Sequence, residues 1–311
     1  MSLVVPVSGR NHCEARKGVM LDNLARVSRE IIAHPFSPFD VIDGKTSAYR
    51  DAQDLRTMAA EPGDDFAVDR SLSEILVFFG KTPQEIEEHL IQTPGMYVDI
   101  GIGRSSAIDT VAEFFKQNQL SQGWLGVDIH QPHVNYQLGR GIPCIHMKGS
   151  DILGDSDEED VVSPKAASAS LVIAHNSVSL YPVFDFEAAN SARTIINLLC
   201  VGGIALVGAI MHGKDHNTYE NLLAADKLFL VADQAKEAYM AYLRGVFCHE
   251  IIAAMENGII QVAGIRNPSS RWVLEKKLST NTFLPTHLVI QKVSESLLPQ
   301  AETSDFPTHA I

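Results

Sequence analysis

The apolar positions along the chain follow two rhythms, and the change comes near residue 96. Before it the pattern is helical with polar faces. Leu21, Leu24, Val27, Ile31 and Ile32 form one stripe at helical spacing, and Ser47 to Ala60 reads as another helix. Ser71-x-x-Glu74 is a capping box ahead of an apolar run that Gly80 stops, and Thr82-Pro83-Gln84-Glu85 is a second one with proline at the first helical position. Pro94-Gly95 then breaks the chain. After it, short apolar runs alternate with helical stripes. Tyr97–Ile100, Trp124–Ile129, Ile142–Met147, Ser170–Asn176 and Ile204–Met211 read as strands. Ile259–Ile265 and Arg271–Lys277 read as two more. Residues 107–115 and 185–199 read as helices between them, and residues 212–257 are helical, with Tyr219, Phe229, Tyr239, Tyr242 and Phe247 spaced as core. Such alternation implies an α/β fold with a doubly wound, mostly parallel sheet covered on both faces. The tail from about Ser294 reads as loosely ordered.

Composition narrows the partners. A chain of 311 residues supports a real core. Its net charge of −13 leaves no electrostatic footprint for phosphate backbones, so nucleic acid is not expected as a partner. Cys13, Cys144, Cys200 and Cys248 lie far apart without metal or redox spacing, and three of them sit in apolar runs as buried thiols of a reducing compartment. The N-terminus shows no secretory signal, and a cytoplasmic location is expected. The uncharged stretch Thr194–Met211 approaches a spanning length, but Gly202-Gly203 divides it and Asn197 lies inside it. It reads as the end of a helix, a glycine turn and a buried strand, and no membrane partner is expected. A homodimer is compatible with the sequence.

The chemistry concentrates in Tyr97-Val98-Asp99-Ile100-Gly101-Ile102-Gly103-Arg104-Ser105-Ser106. An apolar run ends at an acid, two glycines follow, and a helix begins. Glycine suits a turn that demands positive φ, or a ligand that lies against the backbone. A dinucleotide site wants a third glycine, where this chain has Ser106, and it seats a pyrophosphate. Asp99 at the mouth of the turn would repel a pyrophosphate. It would favour a ligand carrying an ammonium and a sulfonium, which argues for S-adenosylmethionine over a nicotinamide dinucleotide. Trp124–Ile129 repeats the theme, a short apolar strand ending at the acid Asp128.

Taken together, these segments resemble the class I S-adenosylmethionine-dependent methyltransferases, whose first motif is acid-x-Gly-x-Gly-x-Gly. Ser105 stands at the third glycine. The resemblance spans about residues 96–277 and includes the segment after Ser170–Asn176 and the Gly202-Gly203 pair. It implies a seven-stranded sheet whose last two strands form an antiparallel hairpin, with an N-terminal helical cap. The implied organisation is a cap over 1–95, an S-adenosylmethionine-binding domain over 96–278 with a helical lid insertion at 212–257, and a tail over 279–311.

The resemblance also implies roles. Asp99, Gly101 and Gly103 would hold the cofactor, Asp128 its ribose hydroxyls, Ile129 and Ile152 its adenine surroundings, and Asp151 the adenine amino group. His175 would face the methyl group as base or orienting residue, also touching the cofactor. Tyr181, His212 and His216 would line the acceptor side. His212-x-x-Asp215-His216 and His130-x-x-His133 read as polar surface, and no metal is expected. The implied activity is methylation of an O or N atom of a small-molecule acceptor. A protein methyltransferase, a catalytically silent scaffold and a nicotinamide oxidoreductase are the other readings.

Overall fold

The computed structural model describes residues 8–34, 70–153, 164–175, 185–208, 210, 232–266 and 284–302, with side chains of the first helix from 17 and of the last from 240. The elements in chain order are α1 (Ser8–Ala33), α2 (Leu72–Phe79), α3 (Pro83–Gln92), β1 (Met96–Ile100), α4 (Ala107–Gln117), β2 (Trp124–Asp128) and α5 (Gln131–Gly139). After these come β3 (Cys144–His146), β4 (Ala169–Ala174), α6 (Asp185–Leu198), β5 (Leu199–Gly208), α7 (Ala232–Glu256), β6 (Ile260–Arg266) and β7 (His287–Lys292). The helix expected over Ser47–Ala60, the strand expected over Arg271–Lys277, and Tyr181, His212 and His216 lie outside the described residues.

The seven strands form one sheet in the order β3-β2-β1-β4-β5-β7-β6. β1 to β5 pair in parallel, and β7 runs antiparallel to both β5 and β6. This is the doubly wound sheet with a closing hairpin that the alternation implies. Chain order reverses between β1 and β4, so the strand ends there open a crevice at the C-terminal edge, where ligands of open α/β sheets sit. Two corrections follow. The seventh strand is His287–Lys292, within what reads as tail from the sequence, so the sheet extends past residue 278. The run Leu288-Val289-Ile290 is its apolar signal, buried on both faces. The segment beyond it is also tied down. Asn197 donates to Leu298 O and accepts from Leu298 N, both at 2.8 Å, and Asn190 pairs with Ala301 in the same way. Each amide side chain thus acts as one rung of a strand ladder.

Each face of the sheet has its own core. On one side Val98, Ile100, Leu125, Val127 and Val172 meet Leu24, Val27 and Ile31 of α1, the alanines of α6, and Leu243, Val246, Phe247 and Ile251 of α7. On the other, Tyr97, Leu171, Ile173 and Leu206 meet α2, α3 and α4 through Leu76, Phe79, Ile86, Leu90, Ile108, Val111 and Phe115. The N-terminal helices are therefore shared between the two faces. Residues 241–252 of α7 are core helix, almost without exposed surface, which corrects the expectation of a lid for that part of 212–257.

Both capping boxes form as expected: Ser71 and Thr82 each accept from the amide three residues on, while Glu74 and Glu85 reach back to the cap amides. The Gly202-Gly203 pair sits inside β5 rather than before it. A Cβ on Gly203 would stand 2.6 Å from Ala169 O, and the β4–β5 register shifts at this point, so the pair makes a bulge against β4.

Gly245 is where α7 meets α1. A Cβ there would stand 2.4 Å from Cγ2 of the fully buried Ile31. Gly245→Ala is expected to lower unfolding stability by about 1–2 kcal/mol, overpacking outweighing the gain of about 1 kcal/mol in helix propensity. Urea denaturation measures it. In an Ile31→Ala background the same substitution should cost nothing, and an equal cost there would show that α1 does not press on Gly245.

Candidate functional site

The first two expected acids lie on one face of the sheet. Alternation along β1 puts Val98 and Ile100 in one core and Tyr97 and Asp99 on the opposite face. Along β2, Leu125 and Val127 share the first face, so Gly126 and Asp128 join Asp99 on the second. Register seals the pairing, with Asp99 beside Gly126. Both carboxylates are only 4% exposed.

Their surroundings differ. Asp128 is bound by three elements: Oδ2 accepts from Gly103 N at 2.8 Å, Oδ1 accepts from His130 N at 2.8 Å, and His133 Nδ1 lies 3.4 Å from Oδ2. Burial alone would raise its pKa, but the contacts with His133, His130 and Gly103 outweigh it and hold the carboxyl below its ordinary value. Asp99 has one partner, the Tyr97 hydroxyl, which donates to Oδ2 at 2.8 Å. Among the described residues no cation pairs with it. Burial, and after it the charge of Asp128, push its pKa up to about 7 against the pull of the Tyr97 hydrogen bond. The same two charges help push the buried Cys144 thiol up to about 12, after burial itself.

The turn between β1 and α4 is held by the rest of the chain. Gly101 and Gly103 both have positive φ, 73° and 53°, so glycine is required at each. Gly101 N and Ile102 N donate to Val127 O. Gln137, fully buried on α5, donates to Gly103 O at 2.9 Å and to Ser105 O at 3.3 Å. Ile102 folds down over β2, where the missing Cβ of Gly126 gives it room. Ser105, standing where the motif has glycine, has a task of its own. Its Oγ accepts from Ala107 N at the start of α4 and donates to Arg70 O at 2.9 Å. Above Gly103 no atom lies within 4 Å of where a Cβ would be.

The remaining expected residues scatter. Ile129 is half-buried, its carbonyl accepting from His146 Nε2 at 2.8 Å. Asp151 stands exposed on the loop after β3, accepting from Ser150 Oγ, and no described contact joins it to either buried acid. Ile152 has no exposed surface and packs in the α6–α7 core, so it supports the fold and presents nothing to a ligand.

His175, expected as base or orienting residue, follows the end of β4. Arg70 Nη1 lies 2.9 Å from its Nδ1 and 3.5 Å from its Nε2. A guanidinium only donates, so Nδ1 accepts and the ring proton sits on Nε2. Burial first, then the charges of Arg70 and His287, hold its pKa down at about 3. A ring whose free lone pair is taken and whose proton affinity is this low is a poor general base near neutral pH. Its Nε2–H remains as a donor.

Around His175 stands a cluster that periodicity alone does not assemble. Phe78, Phe79 and His287 have ring centroids 5.0, 5.9 and 5.5 Å from it, and the Arg70 guanidinium lies 5.4 Å over Phe78. A Cβ on Gly208 would stand 2.5 Å from the His175 ring, so glycine there is what admits it. Among the described residues no group of three or more His, Cys, Asp or Glu is placed to hold a metal ion, and no helix is long and apolar enough to cross a membrane.

No protein-family profile and no curated protein matches the chain. Solved structures do. An S-adenosylhomocysteine-bound methyltransferase of Podospora anserina is 11% identical over 94% of this chain and 100% of its own, with a TM-score of 0.39. An S-adenosylmethionine-dependent methyltransferase of Methanosarcina mazei is 11% identical over 68% and 98%, with a TM-score of 0.38. A proposed Zn-dependent alcohol dehydrogenase of Rhodobacter sphaeroides is 12% identical over 80% and 99%, with a TM-score of 0.39. At TM-scores below 0.5 these likenesses carry no argument, and it is the chain's own strand order, with its antiparallel seventh strand, that gives it the class I methyltransferase fold.

Proposed function

We propose that the chain is an S-adenosylmethionine-dependent methyltransferase acting on an O or N atom of a small molecule. One observation carries the reading: Asp99 is a buried carboxylate with no cation beside it among the described residues, next to a turn of positive-φ glycines, at the edge where the sheet's order reverses. An acid in that position disfavours a pyrophosphate and favours a positively charged adenosyl ligand. Such a cofactor would supply the activated methyl group. Asp99 would face its cationic end, while Gly103, with no atom within 4 Å of where a Cβ would stand, leaves the backbone open to it and Gly101 supplies the turn's positive φ. Asp128 already accepts two backbone amides and stands near His133, so it has little left for both ribose hydroxyls. Its first duty is to hold the turn, with one further acceptor site for a hydroxyl. Ile129 would offer an apolar edge to the adenine, and Asp151 a carboxylate to its amino group.

His175 would orient the acceptor through its Nε2–H. Methyl transfer needs alignment and exclusion of water more than it needs a base, so a non-basic His175 is compatible with activity.

The two acids give opposite expectations. Asp99 is protonated in the free protein below about pH 7, and a bound cation favours its ionised form, so binding expels a proton. Calorimetric affinity for S-adenosylmethionine should then rise about tenfold from about pH 6 to about pH 8. Asp99→Asn should weaken binding and flatten that profile. Because the folded protein holds this proton more tightly than the unfolded chain, ligand-free stability falls as pH rises from about 4 towards 7, and Asp99→Asn should stabilise the ligand-free protein at about pH 8. A pH-independent affinity in the parent protein, or tighter binding of nicotinamide dinucleotides, would refute the assignment.

Asp128→Ala should instead destabilise the ligand-free protein by about 1–3 kcal/mol in urea denaturation, because it strands the buried amide of His130 and frees the half-buried one of Gly103. Unchanged stability would show that the turn does not depend on it.

A further inference from the structure

Arg70 forms no close salt bridge among the described residues; the acid it acts on is the exposed Glu74, whose carboxyl the Ser71 hydrogen bonds, and after them the Arg70 charge, hold below its ordinary value. Arg70 is half-buried at the start of α2. Its backbone carbonyl faces the glycine turn, accepting from Ser105 Oγ and Ser106 N. Its guanidinium reaches the other way, to the His175 ring at the end of β4 and over the face of Phe78. Both of these partners are uncharged at neutral pH, since His175 carries no proton on Nδ1. Among the described residues no carboxylate lies within salt-bridge distance of the guanidinium. In a chain with thirteen more acidic than basic side chains that is an uncommon arrangement. Arginine has five donors in a rigid fork, and the contact with His175 uses one of them.

The surroundings define what could complete it. Phe78, Phe79, His175 and His287 give flat aromatic walls next to the fork, with Gly208 leaving room between the two imidazoles. Asp99 lies in the strand that leads into the turn, and the Arg70 carbonyl accepts from Ser105 and Ser106 at its far end, so one turn adjoins a group suited to a cation and a residue suited to an anion. We infer that Arg70 is the anchor for a carboxylate carried by the methyl acceptor, an acidic molecule with a planar apolar body that packs beside Phe78 and His175. This rests on the methyltransferase reading above and names its substrate class. The guanidinium holds the carboxylate as a bidentate ion pair, His175 keeps the fork in place through Nδ1, and the acceptor atom lies elsewhere on the molecule.

The test uses benzoate and benzamide, equal in shape and different in charge, titrated calorimetrically into the full chain saturated with S-adenosylhomocysteine. Benzoate should bind about tenfold tighter than benzamide, and Arg70→Gln should abolish the difference. Arg70→Lys should keep part of it. The variants retain the backbone carbonyl that the turn needs, so their affinity for S-adenosylhomocysteine should stay within about twofold of the parent, which also reports that they fold. Equal binding of the two probes, or a benzoate preference that survives Arg70→Gln, would overturn the proposal. So would a loss of S-adenosylhomocysteine affinity in Arg70→Gln, which would assign the guanidinium to the cofactor's own carboxylate. Inorganic phosphate displacing benzoate at lower concentration than acetate does would overturn it in favour of a phosphate monoester. Failure of the parent protein to bind S-adenosylhomocysteine would count against the methyltransferase reading alone, and the benzoate comparison on the ligand-free chain would still decide the anion site.

Discussion

A carboxylate that enters a protein interior must either find donors or surrender its charge, and this molecule does one of each on neighbouring strands. Asp128 has found them: two backbone amides and a histidine edge, drawn from the glycine turn and from α5. Asp99 has one hydroxyl and a second acid nearby, so its ionisation is postponed to about pH 7. Two carboxyls of the same kind thus take opposite states from their surroundings alone, the pattern by which acid pairs divide their roles. One holds the turn and ionises below its ordinary value. The other, on the reading proposed above, would gain its charge when a cationic ligand binds.

The rest of the fold is arranged to keep that difference. The sheet reverses its order between β1 and β4, which leaves the edge beyond Asp99 uncovered by crossover helices. Gln137 reaches back from α5 to the carbonyls of the turn, and Ser105 fastens the turn to Arg70 at the start of α2. The turn is therefore bound from both sides before any ligand arrives. That spares a ligand the entropy of ordering it. The helices before the sheet contribute in two ways. α1 completes one core, while α2 and the residue Arg70 just before it bring Phe78, Phe79 and a guanidinium to the edge where β4 and β5 end and β7 begins.

Much of this was legible in the residues. The run from Tyr97 to Ser106, the acid at Asp128 and both capping boxes depend on neighbours within a few positions, and local patterns record such contacts. β7 was harder. Leu288-Val289-Ile290 is a three-residue apolar run among polar neighbours, and only its pairing with β5 and β6 makes it a strand. Arg271–Lys277 has a comparable pattern, and periodicity cannot choose between two such runs. Gln137 and Arg70 carry no motif at all, since their partners are 34 and 105 residues away. The chemical state of His175 was the least legible. A histidine after a strand suggests a base, and only the arginine against Nδ1 reveals which nitrogen holds the proton.

That proton bears on how the two halves of the edge work together. If His175 were a base, its proton affinity would have to lie near the working pH, and Arg70 would then be an obstacle, since its charge opposes protonation. Read as a fixed acceptor, the same ring is useful to Arg70: it satisfies one donor of the fork without neutralising the cation, as a carboxylate would. The guanidinium stays oriented and charged, while Asp99 has no cation beside it among the described residues. Positive and negative groups held apart in this way favour two ligands of opposite charge lying side by side. Electrostatics then contributes to their mutual orientation without any residue having to move a proton.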